Sequence, residues 1–191
     1  MAMDRKIEII KAAAKSFALF GYKATTMDQV ARIAKVGKGT IYTFFENKEQ
    51  LFDEIIRNFT EELLQVAEAA IRKNDPFADN LYRCLLDVME FRSKHDLIVQ
   101  LSHEAREIGT ESVVKAMRHT EEALLLFVKD KVQEAVEAGE LKRCDPEVTA
   151  YVLIKLFIAL VVEWPSHREP LSKEHIMELF GLYFMNGVSA K

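Results

Sequence analysis

The chain has 191 residues, 49 % of them hydrophobic and 29 % charged, with only 7 Gly and 4 Pro. So few turn-formers exclude β-sandwiches, barrels, collagen-like repeats and disordered chains, and they favour long helices. The formal charge of −4 conceals a division: residues 1–48 carry nine basic and four acidic side chains, and the remaining 143 carry 17 and 26. A basic head on an acidic body suits a protein that holds an anionic polymer at one end and stays soluble through the other.

In chain order, Ile7, Ile10, Ala14, Phe17 and Leu19 or Phe20 predict one apolar face of a first helix that Gly21 ends. Thr26, with Gln29 three residues on, is a capping box opening a short helix to Ala34. Lys35 to Gly37 reads as a turn, and a third short helix runs from Lys38 to about Phe44. Asn47 caps a long helix to about Lys73, with Gln50 at its capping-box position. Asp75-Pro76 opens a helix to about Ser93, and another spans Asp96 to Ile108. Gly109 stops it, Thr110 caps a long helix to Ala138, and Asp145-Pro146 starts an apolar helix ending at Trp164-Pro165. Ser172 caps the last helix, to about Gly187. The expectation is an all-α fold of about nine helices with no internal repeat.

Several chemistries fall away on spacing. Cys84 and Cys144 form no CxxC pair or disulfide framework and suit a reduced cytoplasm. Met1 to Ile10 carries four charges and no apolar run, so no signal peptide is expected, and Val148 to Val162, with Thr149 and Lys155 in it, is too short for a membrane span. The expected location is cytoplasmic. Gly37-Lys38-Gly39-Thr40 fails the phosphate-loop spacing because Arg32 stands at its first glycine. His103-Glu104 lacks the second histidine of the zinc-protease motif, and the other histidines are scattered. No metal, cofactor or catalytic constellation is expected, so the chain reads as a non-enzyme.

Two short helices joined by a glycine-containing turn after a longer helix fit a helix-turn-helix, whose second short helix enters the major groove. Lys38, Gly39, Thr40 and Thr43 are then the base-facing residues. Gly39 allows close approach, and the lysine and threonines can donate to base or phosphate oxygens.

The run F-A-L-F-G-Y-K-A-T-T from Phe17 to Thr26, V-A-R-I-A from Val30 to Ala34, and V-G-K-G-T-I-Y-T-F-F-E-N-K-E-Q-L from Val36 to Leu51 resemble the DNA-binding domain of TetR-type bacterial transcriptional regulators. The resemblance implies a homodimer on a pseudo-palindromic operator, a repressor that lets go when a small molecule enters the C-terminal domain. It further implies phosphate contacts from Thr26, Tyr42 and Lys48, in keeping with the dipole and free amides of helix N-termini. Lys35 stands where the family has Gly, Gly37 where Ser or Thr caps the recognition helix, and Phe44 where Tyr or His often adds a contact.

The expected division is a DNA-binding domain at 1–46 and an effector-sensing and dimerisation domain at 47–191. In the body, Met89, Arg92, His103, Arg106, Met117 and Phe127 are the candidate contacts for an effector that is largely apolar. The helix from 146 to 164 is apolar on every side, so it is expected to pack on its own domain and on a second copy. Tyr151, Ile154, Phe157, Ile158 and Val161, with Ile176, Leu179, Phe180 and Tyr183 of the last helix, are the candidate dimer contacts. Two rival readings are a helical protein-interaction module and an enzyme with a basic head.

Overall fold

The computed structural model describes residues 2–188; residue 1 and residues 189–191, the outer ends of the two expected domains, lie outside it. Nine helical runs and no strand occur among the described residues. These are α1 (Ala2–Ala24), α2 (Met27–Ile33), α3 (Lys38–Tyr42), α4 (Lys48–Ala69), α5 (Phe77–Ser93), α6 (Asp96–Glu107), α7 (Glu111–Glu137), α8 (Pro146–Phe157) and α9 (Lys173–Phe180). Helix α8 continues through a π segment, Ile158–Glu163, and a 3₁₀ turn, Trp164–Ser166; α9 continues through a π segment, Gly181–Met185, to Val188.

Two compact units result. The first comprises residues 1–62 and 92–120, so α6 and the start of α7 pack with the N-terminal helices. The second comprises residues 63–91 and 121–191. Residue 46, the expected change of domain, lies inside the first unit.

In the first unit Phe17, Phe52, Ile9, Ile41, Leu51 and Val30 are wholly enclosed, each aromatic or aliphatic side chain contributing about 1.5–3 kcal/mol. Phe17 meets Phe52 edge to face with centroids 5.4 Å apart, and Tyr22 lies 4.6 Å from Phe52. The buried face of α1 is Ile9, Ala12, Ala13, Ser16 and Phe17, not the stripe through Ile7, Ile10 and Ala14. Phe20, expected in the core, is 50 % exposed, and Leu19 is also exposed. An apolar run long enough to offer two overlapping stripes leaves the choice of face to the partner helices.

The second unit is built on Leu81, Leu85 and Met89 of α5, Val132 and Ala135 of α7, Leu153 of α8, and Ile176 and Phe180 of α9. The loop after α4 is tied down by Asn80, whose side-chain amide donates to the Arg72 and Asp75 carbonyls, and by Arg83, which donates to the Ala70 carbonyl at 2.9 Å. Arg83 also pairs with Asp75. That loop begins after Ala69, so α4 is one turn shorter than expected.

Three expected caps form: Thr26 accepts from the Gln29 amide, Asp145 from the Glu147 and Val148 amides, and Ser172 from the His175 amide. Asn47 likewise accepts from the Gln50 amide while the Gln50 side chain accepts from the Glu46 amide. Thr110 does not cap α7 with its side chain. Its hydroxyl is buried without a partner, and only its carbonyl engages, accepting from the Val113 and Val114 amides.

Candidate nucleic-acid interface

The site begins where α1 fails. Gly21 has φ 79° and ψ 167°, a conformation that ends regular helix and turns the chain toward Thr26. Thr26, exposed and extended, then caps α2. At the far end of α2, Lys35 has φ 55°, the one non-glycine residue with positive φ among those described. The Val36 amide donates to the Ala31 carbonyl and the Lys35 amide to the Arg32 carbonyl. That pair of bonds is a Schellman termination with lysine in the left-handed place, which explains the glycine usual there.

Helix α3 has five residues and buries only Ile41. Its cap, Gly37, supplies no side-chain bond, so the helix is fastened by the Thr40 amide on the Gly37 carbonyl and by the Thr43 hydroxyl donating to the Thr40 carbonyl at 2.7 Å. The other residues turn outward: Lys38, Gly39, Tyr42 and Thr43 are exposed and Thr40 is half-buried. Tyr42, which an ordinary core role would have enclosed, is 45 % exposed. A Cβ on Gly39 would meet nothing within 4 Å.

Electrostatics divides the lysines. Lys38 reaches back to Asp28 of α2, with its ammonium 2.7 Å from the carboxylate, and that hydrogen bond and charge raise its pKa. Both groups are in water, where such a pair is easily exchanged for another anion. Lys48 does not point outward. Its ammonium donates to the Tyr22 carbonyl at 2.8 Å and the Thr25 carbonyl at 3.0 Å and lies 4.2 Å from the centre of the Tyr22 ring. Burial pushes its pKa down, and Glu104 opposes that shift. No sequence pattern pointed to Glu104, whose carboxylate sits 2.7 Å from the Tyr22 amide across 82 residues of chain.

The candidate effector residues do not form one cluster. Met89 is buried in the core of the second unit, and His103 and Arg106 are exposed, the latter paired with Glu107. Met117 is half-buried, and Arg92 has its Nε enclosed without a partner. Phe127 alone of the six lines a half-open cleft of about 480 Å³ in the second unit. Leu81, Cys84, Val128, Ala135 and Leu153 provide its apolar lining, and Arg72, Lys73, Lys131, Glu68, Asp75, Glu134 and Glu140 its charged groups. Burial, then Asp87 and Glu68, push the Cys84 thiol up to about 11, so it is a protonated wall and not a nucleophile.

Of the candidate dimer residues, Ile154, Ile176 and Phe180 are buried within their own unit and have no surface to offer another chain. Leu153 and Ile154 of α8 turn into that unit because an all-round apolar helix must still turn one side inward. Tyr151 and Tyr183 are exposed; Phe157, Ile158, Val161 and Leu179 are half-buried. Val148, Val152 and Leu182, absent from the expected set, are exposed as well. The run Pro146–Ser166 is 21 residues, longer than expected and enough by length and composition to cross a membrane, and only 22 % of its most apolar window is buried.

Residues 9–55 match the family described as bacterial regulatory proteins, tetR family. Over 190 residues the chain is 47 % identical to the HTH-type transcriptional regulator YhgD of Bacillus subtilis, covering 100 % of both chains. It is 25 % identical over 194 residues to the HTH-type transcriptional repressor KstR2 of Mycolicibacterium smegmatis, covering 97 % of this chain and 91 % of the other. The fold is shared with the transcriptional regulator FadR of Bacillus subtilis, solved in complex with stearoyl-CoA, at a TM-score of 0.77 and 20 % identity, over 91 % of this chain and 96 % of that one.

Proposed function

The chain belongs to the tetR family of bacterial regulatory proteins and is a DNA-binding transcriptional regulator, and from that premise we propose that it is a homodimeric repressor released from a palindromic operator by a small molecule. The observation that carries the DNA role is α3: three of its positions, Lys38, Gly39 and Tyr42, are exposed together with Thr43 at its C-terminal cap, and Gly39 has no neighbour in the fold that would require a glycine. Lys38, Thr40 and Thr43 read base edges or nearby phosphates; Thr26, Tyr42 and Lys48 hold the backbone. The Asp28 partner of Lys38 is given up to a phosphate or base oxygen at that moment.

Two copies are required because one five-residue helix reads too little sequence, and paired heads must meet successive major grooves about 34–36 Å apart. The exposed side of α8 and α9, with Val148, Tyr151, Val152, Leu182 and Tyr183, supplies the self-complementary apolar surface. Lys155, in the middle of that apolar run, pairs with Glu121 at 2.5 Å, an arrangement suited to a protein interface and not to lipid.

The effector belongs in the cleft beside Phe127. Its apolar lining suits a greasy body, while Arg72, Lys73 and Lys131 suit an anionic group on the same molecule. Stearoyl-CoA, found in the FadR structure, is a molecule of that build. Occupation favours one of two positions of α4, and a small change in head spacing then removes much of the affinity.

The test is selection of duplexes from a random-sequence library by the full-length protein, followed by footprinting and by titration with long-chain acyl-CoA. A palindromic footprint that acyl-CoA dissolves supports the whole reading. Salt-dependent binding without sequence preference returns the protein-interaction alternative, and a footprint indifferent to acyl-CoA removes that effector class.

A further inference from the structure

Where α1 breaks at Gly21, the next two amides turn to a side chain from a remote helix. Tyr22 donates to Glu104 Oε2 at 2.7 Å and Lys23 to Oε1 at 3.1 Å. Glu104, on α6, is 1 % exposed, so both oxygens of an enclosed carboxylate are spent on backbone donors. Gly21 is shaped by the same carboxylate: a Cβ there would stand 2.6 Å from Oε2.

The segment is gripped from its other side too. Lys48, the first residue of α4, donates to the Tyr22 and Thr25 carbonyls. The Thr25 hydroxyl donates to the Gly21 carbonyl at 2.8 Å and lies 3.1 Å from the Ser16 hydroxyl. Residues 21–25 therefore lie between a carboxylate from α6 and an ammonium from α4, and they run straight into Thr26, the cap of α2. All of these groups belong to one compact unit.

We propose that Glu104 is a positioning residue for DNA recognition, fixing from α6 the segment that seats the α2–α3 pair and that holds the Lys48 ammonium in place. It acts through the Tyr22 and Lys23 amides. A carboxylate accepts on both oxygens, whereas an amide has one acceptor and would face its own donors toward the second backbone N–H. The charge also matters, because Lys48 stands in the field of Glu104. In a chain without that carboxylate, α2 and α3 still fold, but the recognition helix samples several seats, and base readout, which needs exact register, suffers more than phosphate binding.

The inference rests on the DNA-binding reading, and wild-type protein tests that reading first. Full-length wild type and Glu104→Gln are titrated against the duplex that wild type enriches from a random library and against a scrambled duplex of equal length. Amide exchange at Tyr22 and Lys23 is followed in both. The expected result is exchange about tenfold faster at those two amides and about tenfold weaker binding to the selected duplex. Affinity for the scrambled duplex falls by a clearly smaller factor, because Thr26 and Lys48 lie on the same segment. Undiminished binding of the selected duplex overturns the proposal, and so does an equal fall on both duplexes. If wild type enriches no sequence, the DNA-binding reading has failed and the positioning role falls with it. Should Glu104→Gln not fold, Glu104→Asp, which keeps the charge and withdraws it by one methylene, is read by the same criteria.

Discussion

Gly39 has open space where a side chain would begin and sits inside a helix, where glycine is the poorest residue short of proline. Within the free protein it is a disadvantage. Gly39→Ala is therefore expected to leave thermal stability unchanged or raise it by up to about 1 kcal/mol, while weakening operator binding at least about tenfold through a methyl group at the groove. Melting curves and fluorescence anisotropy read the two effects separately, and unaltered DNA affinity removes Gly39 from the interface. Lys48 combines both roles. Lys48→Ala abandons the Tyr22 and Thr25 carbonyls, which destabilises the fold by about 1–2 kcal/mol. If the ammonium also meets a phosphate, the salt dependence of binding flattens by about 0.9 per protomer. A stability loss with an unchanged slope assigns the lysine to structure alone.

Among the elements, α2 and α3 are fastened almost entirely by local chemistry, and one fastening is strained. Lys35 occupies the left-handed position of a Schellman motif, which disfavours a residue with a Cβ by about 1–2 kcal/mol. Lys35→Gly is expected to raise stability by about 1 kcal/mol or less, since glycine's freer unfolded chain offsets part of the gain. Equilibrium urea unfolding measures it, and a destabilised variant would show the lysine side chain contributing contacts of its own. Local signals served several helix starts well: Thr26 of α2, Asn47 of α4, Asp145 of α8 and Ser172 of α9 cap where the sequence placed them. They served less well for α1, whose buried face is turned by about one residue from the expected stripe, and for α7, where the Thr110 hydroxyl makes no cap bond. In both, packing against other helices decided what the local pattern left open.

At the scale of the molecule, the exposed apolar side of α8 and α9 is the proposed seam between two copies. Val152 is half exposed in the single chain, so Val152→Glu is expected to fold normally. A pair of such charges in a symmetric apolar interface, with Tyr183→Glu as a second variant, is expected to shift sedimentation from dimer to monomer and to abolish specific DNA binding. A variant that remains dimeric moves the interface to another face. The half-open cleft proposed for the effector belongs to the second unit, and α3 belongs to the first.

Sequence by itself determined the helical class, the order of the helices, several of their starts, and the position of the α2–α3 pair, because caps, glycine breaks and apolar periodicity act within about one turn of chain. Tertiary structure alone decided which side of an all-apolar α8 became core, so that Leu153 and Ile154 went inward while Val148 and Val152 stayed out. It alone brought Glu104 to Tyr22, turned Lys48 inward, and gathered Phe127 with Leu81 and Leu153 around a cleft while leaving His103 at the surface. Those outcomes depend on which of several similar faces bury together, a choice made by the free energy of packing distant segments and therefore invisible to any short window of residues.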